Sequence, residues 1–254
     1  MKYKITTFNA RHAEGKDGAN SWQYRKDFFF SFLKENKSDI YCFQEILPQT
    51  KKEIISFLDD YYSLGVCRTA DYKGECSLIS YNKNKFECLF YENFWLSDTP
   101  DIPGSKFTEK CFHPRICTHL KLMDLDSGDI FSVYNAHIDN ENKLSQEEGL
   151  KLIAEKIKAY NSFAPTVLCG DFNMEPKEVY RYLKNAPLFD CSSLKENIPD
   201  YTYHDFGRLE KGIKIDYIFA TEHFKSLNTE IFTGKKDGVY ISDHYPLTAC
   251  LELN

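Results

Sequence analysis

Apolar runs in this sequence stop, repeatedly, on side chains that can do chemistry. Asn9 follows "ITTF", Glu45 follows "YCFQ", His137 follows "VYNA", Asp171 and Asn173 follow "VLCG", and Asp243 with His244 precedes "YPLTACLEL". Asp216 lies within "IKIDYIF". One such ending is ordinary, because Asp and Asn at strand ends bond their own backbone in turns. The repetition points to a shared rim. Glu45 and Asp243 are the oxygen donors that Mg²⁺ prefers, and a cation held by few carboxylates keeps positions open for phosphate oxygens. Imidazoles near carboxylates, as His137 is to Asp139 and His244 to Asp243, can be oriented and kept basic by them. Asp216 needs a partner, since an unpaired buried carboxylate is costly; His244 is preferred over Lys214. The electrophile that suits this mixture is phosphorus.

In "TVLCGDFNME" the expectation is that Gly170 turns the backbone out of the core. Strand alternation would then set Asp171 and Asn173 on one side while Phe172 packs.

The elements that must position these groups follow from the apolar period. Strands are expected at 3–8, 39–45, 76–81, 86–91, 116–122, 130–137, 166–170, 213–220, 229–232 and 245–253. Helices are expected from Ser21, from Pro48, from a Ser145/Glu148 capping box and from Pro176. Short turns in the middle favour antiparallel pairing. No linker or repeat interrupts the 254 residues, so one α/β domain over 1–254 is the expected organisation. A net charge of −6 argues against a surface coated to grip long duplexes, and a polyanionic substrate would need local positive charge such as a metal.

The nine cysteines are scattered and never spaced as a two-residue-gap pair, which reads as reduced thiols packed as small hydrophobes. With no apolar signal core in "MKYKITTFNA" and no membrane-length apolar run, a soluble cytoplasmic protein without a membrane anchor is expected, a monomer by preference.

The stretch 92–115 is long enough to be functional. Its Trp95, Phe107 and Phe112 read equally as a base-stacking platform or as core. Arg115 closes it as a candidate substrate contact, and 200–214 is a second candidate for recognition. His12, His113, His119, His204 and His223 default to structure or surface.

"TFNAR", "FQE", "NAHID", "GDFN", "IDYIF" and "SDHYP", in that order, resemble the endonuclease/exonuclease/phosphatase superfamily with the deoxyribonuclease I-like fold. The resemblance implies a four-layered α/β sandwich of two packed, mainly antiparallel sheets flanked by helices. It implies a Mg²⁺-dependent hydrolase, with Mn²⁺ as a substitute, that cleaves a phosphodiester in nucleic acid, single-stranded for instance, or in nucleotides. Inositol phosphates or lipid headgroups are the alternative substrates, and a non-catalytic phosphate-binding scaffold ranks last. Glu45 would be the principal metal ligand, joined by Asp243 and Asn9. Asp171 would deprotonate the attacking water, Asn173 would donate to phosphoryl oxygens, and His244, oriented by Asp216, would bind phosphate opposite His137. Glu75 would orient His137. Where the family often has an acidic residue, this chain has Arg11, which would contact phosphate instead.

Overall fold

The structure, a computed structural model, describes residues 1–161, 164–192 and 200–254. The chain runs β1 (Lys2–Asn9), α1 (Trp22–Glu35), β2 (Ile40–Ile46), α2 (Pro48–Phe57), β3 (Tyr61–Leu64), β4 (Cys76–Asn82), β5 (Phe86–Trp95), β6 (Ile116–Asp124) and β7 (Ile130–His137). It continues through α3 (Lys143–Asn161), β8 (Thr166–Asp171), α4 (Pro176–Leu183), β9 (Phe189–Asp190), β10 (Asp216–Ala220), β11 (Phe224–Ile231), β12 (Lys235–Lys236), β13 (Val239–Tyr240) and β14 (Leu247–Leu253). One six-stranded sheet has the order β11-β14-β1-β2-β4-β3 and the other β5-β6-β7-β8-β10-β9. Each sheet is antiparallel except for one parallel pair, β1 with β2 and β7 with β8.

Four layers follow from strands that are apolar on both faces. In β2, Ile40 and Cys42 turn inward to the core between the sheets, where they meet Leu120, Val133 and Val167 of the second sheet. Tyr41 and Phe43 turn outward to Phe29 and Phe32 of α1 and Ile54 of α2. The second sheet repeats the arrangement, with Leu168, Phe172 and Tyr217 packed under Ile153 and Ile157 of α3 and Val179 of α4. This is the two-sheet sandwich expected of a deoxyribonuclease I-like fold.

The topology collects the strand ends at one rim. Asn9, Glu45, His137 and Asp171 lie at the carboxyl ends of β1, β2, β7 and β8. Their antiparallel neighbours β14, β4, β6 and β10 begin at that same rim, which brings Asp243 and His244, Glu75, Arg115 and Asp216 to it. Buried amides tie the two sheets together just beneath. Gln44 Nε2 donates to Asn135 Oδ1 at 2.7 Å, and Asn135 Nδ2 donates to the Phe43 and Leu78 carbonyls at 2.9 and 3.0 Å.

Several local expectations change. Residues 92–95 continue β5, and Trp95 is buried with its Nε1 donating to the Arg68 carbonyl at 2.6 Å, so it is core and no stacking platform. Phe107 packs partly buried beside the α3 core, whereas Phe112 is 81% exposed. The first turn of α3 is capped by Asn142, whose Oδ1 accepts the Ser145 N–H at 3.1 Å, rather than by Ser145. Gly170 does not turn the chain out of the core. It stays in β8, paired with Ala136 and Tyr217, at φ +147°. A Cβ there would stand 2.0 Å from the Ala136 carbonyl oxygen, so glycine serves close approach of neighbouring strands. Finally, Cys67 and Cys76 face each other across an isolated antiparallel bridge and are joined as a disulfide. The all-thiol reading fails at this pair, because the chain returns on itself between them, a contact no spacing rule predicts. The other seven cysteines are free, five of them buried.

Candidate active site

Asp171 is the hub of the rim. It is buried at the end of β8, and its Oδ2 accepts a hydrogen bond from Asn9 Nδ2 at 2.9 Å. His137 Nε2 is 3.5 Å from that oxygen and His244 Nε2 is 3.8 Å from it. Its Oδ1 accepts the Asn173 N–H at 2.9 Å, which is the ordinary Asx turn, so turn and site coexist in one carboxylate. Asn173 is placed by that turn and not by strand alternation. The strand stops at Asp171, and Asn173 sits in the left-handed region at φ +50°, with one amide hydrogen donated to the Ile138 carbonyl at 3.0 Å. Its second amide hydrogen has no acceptor among the described residues, and Asn173 lines the cavity.

Glu45 occupies an interruption in the β2–β4 ladder, at φ +59°. A left-handed, non-glycine residue costs on the order of 1–3 kcal/mol and is held only where neighbours over-determine it. Here the carboxylate supplies the constraint: it accepts Asn9 Nδ2 at 3.0 Å and the His12 N–H at 3.0 Å. Burial pushes the Glu45 carboxyl up, but these two donors outweigh it and hold the group below its ordinary value. Asp243 is buried across from it and is pushed up, first by burial and, against the pull of His244, by the Glu45 charge. Both residues line one cavity and offer the carboxylate oxygens that a hard cation prefers. Asn9 Nδ2 joins Glu45 to Asp171, and its oxygen accepts the Arg11 N–H at 2.9 Å with a second lone pair remaining.

His244 Nδ1 is 2.8 Å from Asp216 Oδ2, and Lys214 turns away to Asp190 at 2.6 Å. Burial would lower His244, but Asp216 and Asp171 outweigh it and hold its pKa up at about 10, a cation. Asp171, Asp216 and His244 have ligating atoms within 4.8 Å of one another. This buried trio has the ligating atoms that could hold a metal ion, beside the Glu45 and Asp243 oxygens. His137 is the opposite case. Burial, then Arg115 and Arg68, hold it well below the ordinary histidine value, so it is neutral. Glu75 Oε2 is 3.8 Å from His137 Nδ1, beyond hydrogen-bond reach, and pairs by charge with Arg68 at 2.8 Å, but it accepts no hydrogen bond among the described residues. Arg11 is likewise spent, on Asp17 at 3.0 and 3.1 Å, with Asp243 at 3.7 Å.

A cavity of about 250 Å³ opens over these groups. Of the expected residues Arg11, Glu45, Glu75, Arg115, His137, Asn173, Asp243 and His244 line it, whereas Asn9, Asp171 and Asp216 lie beneath its wall; His12, Arg68, His113, Asn140 and Tyr203 complete the lining. His12 and His113 therefore belong to the site wall, whereas His119, hydrogen-bonded between Glu92 and Ser132, and His204, stacked on Tyr245, are structural. Sequence reading missed the fully buried Arg25, whose guanidinium donates to the carbonyls of Ala10, Arg11, Asn20 and Ile241 and so pins the loops that carry Arg11 and Asp243. Of the 200–214 segment, Tyr203 reaches the cavity.

Burial and Asp216 push the Asp171 carboxyl up to about 7 against the pull of His244 and Asn9. A base must have lost its proton and a phosphate-binding imidazolium must keep one. The pH–rate profile is therefore expected to rise through about 7 and to fall towards about 10, and a profile flat from pH 5 to 9 would contradict these assignments.

Two packed sheets that gather acidic oxygens, an amide and opposed imidazoles at one rim define a phosphoester hydrolase. The profile of the Endonuclease/Exonuclease/phosphatase family matches residues 6–244, and the chain belongs to that family. It is similar to the endonuclease/exonuclease/phosphatase of Bacteroides vulgatus, at 33% identity over 100% of both chains with a TM-score of 0.92. It is also similar to the mannosyl-6-phosphatase of Bacteroides thetaiotaomicron VPI-5482, at 27% identity over 99% of this chain and 100% of that one, TM-score 0.88. Nocturnin of Drosophila melanogaster is 25% identical over 289 residues, which cover 92% of this chain and 42% of nocturnin. Members of the family are generally metal-dependent. Among the described residues no helix is long and apolar enough to cross a membrane.

Proposed function

We propose that this chain hydrolyses a small, polar phosphate ester by in-line attack of water, using Mg²⁺, or Mn²⁺ in its place, bound at Glu45 and Asp243. The observation that carries the reading is Asp171, buried between Asn9, His137 and His244 at the rim it shares with Glu45. Asp171 takes the proton of the water whose oxygen forms the new bond to phosphorus, and the bond from phosphorus to the leaving oxygen breaks. Cationic His244 and the second amide hydrogen of Asn173 face the phosphoryl oxygens as negative charge grows on them; one such donor is worth about 10²–10³ in rate. Neutral His137 steadies the phosphate from the opposite side. When bound, the cation neutralises phosphate charge and stabilises the leaving oxygen.

A cavity of about 250 Å³ lies below the roughly 300–1,000 Å³ of sites for drug-sized ligands, and its outer wall is charged and amide-bearing. Those features favour a compact phosphorylated polyol, with sugar or inositol phosphates as the class, and the name of the Bacteroides thetaiotaomicron relative supports it. A second reading, cleavage of a phosphodiester in single-stranded nucleic acid or nucleotides, draws support from exposed Phe112 beside cavity-lining His113 and from Tyr203. A panel of sugar phosphates, inositol phosphates, sphingomyelin, dinucleotides, single-stranded RNA and single-stranded and duplex DNA, with Mg²⁺ or Mn²⁺, decides. Release of inorganic phosphate from the sugar or inositol esters is expected, and cleavage confined to nucleic acid would replace the first reading by the second.

A further inference from the structure

Among the described residues the buried guanidinium of Arg115 forms no ion pair. Arg115 is 5% exposed, and its Nε and Nη1 have no hydrogen-bond partner among the described residues. Only Nη2 is engaged, donating to the neutral Oδ1 of Asn140 at 2.7 Å. Its neighbour Arg68 differs, since Glu75 takes that charge at 2.8 and 3.1 Å. A buried charge is normally paired or neutralised. Arg115 instead lines the same cavity as Glu45, His137, Asn173 and His244, one strand from His137 at the start of β6.

We propose that Arg115, held by Asn140, is a specificity residue that takes a terminal oxygen of a phosphate monoester, so that the chain selects monoesters over diesters. A monoester carries close to two negative charges at neutral pH and three unesterified oxygens. A diester carries one charge and two such oxygens. The metal oxygens, Asn173 and the two histidines already serve the groups common to both. The unspent guanidinium matches the charge and oxygen that only the monoester has, in the planar, multiply donating form that suits phosphate. The inference rests on the proposed phosphoesterase chemistry and sharpens its substrate class to compounds whose products are an alcohol and inorganic phosphate.

The test compares p-nitrophenyl phosphate with bis(p-nitrophenyl) phosphate, with Mg²⁺, in the full chain and in Arg115→Gln. The unaltered chain is expected to favour the monoester by at least about tenfold in kcat/KM. Arg115→Gln should lose about 10²-fold on the monoester, the usual scale for one donor to a charged oxygen, while the diester changes by less than about threefold. Inorganic phosphate, titrated calorimetrically, should bind the unaltered chain and bind Arg115→Gln at least about tenfold more weakly. Asn140→Ala, which frees Arg115 without deleting it, should show a smaller loss in the same direction and remains informative if Arg115→Gln does not fold. A preference for the diester, an equal loss on both esters, or unchanged phosphate binding would overturn the proposal. Unchanged phosphate binding would leave Arg115 as a support for the cavity of about 10 Å³ that it shares with Arg68, Glu75 and His137, room for about one water. Hydrolysis of neither ester would instead count against the phosphoesterase reading itself.

Discussion

Asp171→Asn is expected to reduce turnover by about 10³–10⁴-fold while leaving the fold intact, the upper range for loss of a positioned general base. The amide keeps the shape of the side chain and can still accept the Asn173 N–H, but it cannot take a proton from water. Its stability is expected to hold or rise. The carboxyl moves from 3.8 to about 7, so the folded chain binds this proton more tightly than the unfolded chain. On this group's account, stability is present below that window and declines as pH climbs from about 4 to about 7. The amide removes that loss, so at pH 8 the thermal midpoint of Asp171→Asn should equal or exceed that of the unaltered chain. Wild-type-like turnover would sink the assignment of the base. A lowered midpoint with lost activity would show instead that Asp171 is chiefly structural.

Glu45→Gln is expected to cost about 10³-fold in turnover, equivalent to about 4 kcal/mol of transition-state stabilisation. It should also move the cation concentration for half-maximal rate upward by more than tenfold. The reason is specific to this carboxylate. Asn9 and the His12 N–H already hold it ionised, so it offers a fixed negative charge beside Asp243. Chelator should abolish activity of the unaltered chain, with recovery on adding Mg²⁺ or Mn²⁺. Calorimetric titration of Mn²⁺ supplies the activity-independent reading: binding by the unaltered chain and weaker binding by Glu45→Gln. Activity that survives chelation, or Mn²⁺ binding indifferent to Glu45, would remove the metal from the proposal.

Much of the rim is legible before any fold is known. An apolar run with strand periodicity tells where a strand stops, and a carboxylate, amide or imidazole at that stop is visible in the string. Asn9, Glu45, His137 and Asp171 are recognisable that way, His244 stands just before a run and Asp216 within one, and their order carries the family resemblance. Reading fails where the contact is made by pairing. Glu75 lies 3.8 Å from His137, and its ion pair with Arg68 is not legible, because the chain returns through the Cys67–Cys76 bridge and sets Arg68 beside Glu75. The bridge that the Asn9 amide nitrogen makes from Glu45 to Asp171 is another such contact, since β1 lies beside β2 and near the second sheet. Trp95 looks equally like a platform or core, and β5 running on through residues 92–95 decides for core.

Which chemical groups stand at strand ends, and in what order, can be read from the string, because backbone periodicity and side-chain type are local properties. Which of those groups meet, and which charges stay without an ion pair, depends on the fold. Strand direction sets that outcome: the starts of β4, β6, β10 and β14 share a rim with the ends of β1, β2, β7 and β8, and so Arg115 comes to the cavity with a buried guanidinium and only an amide to hold it.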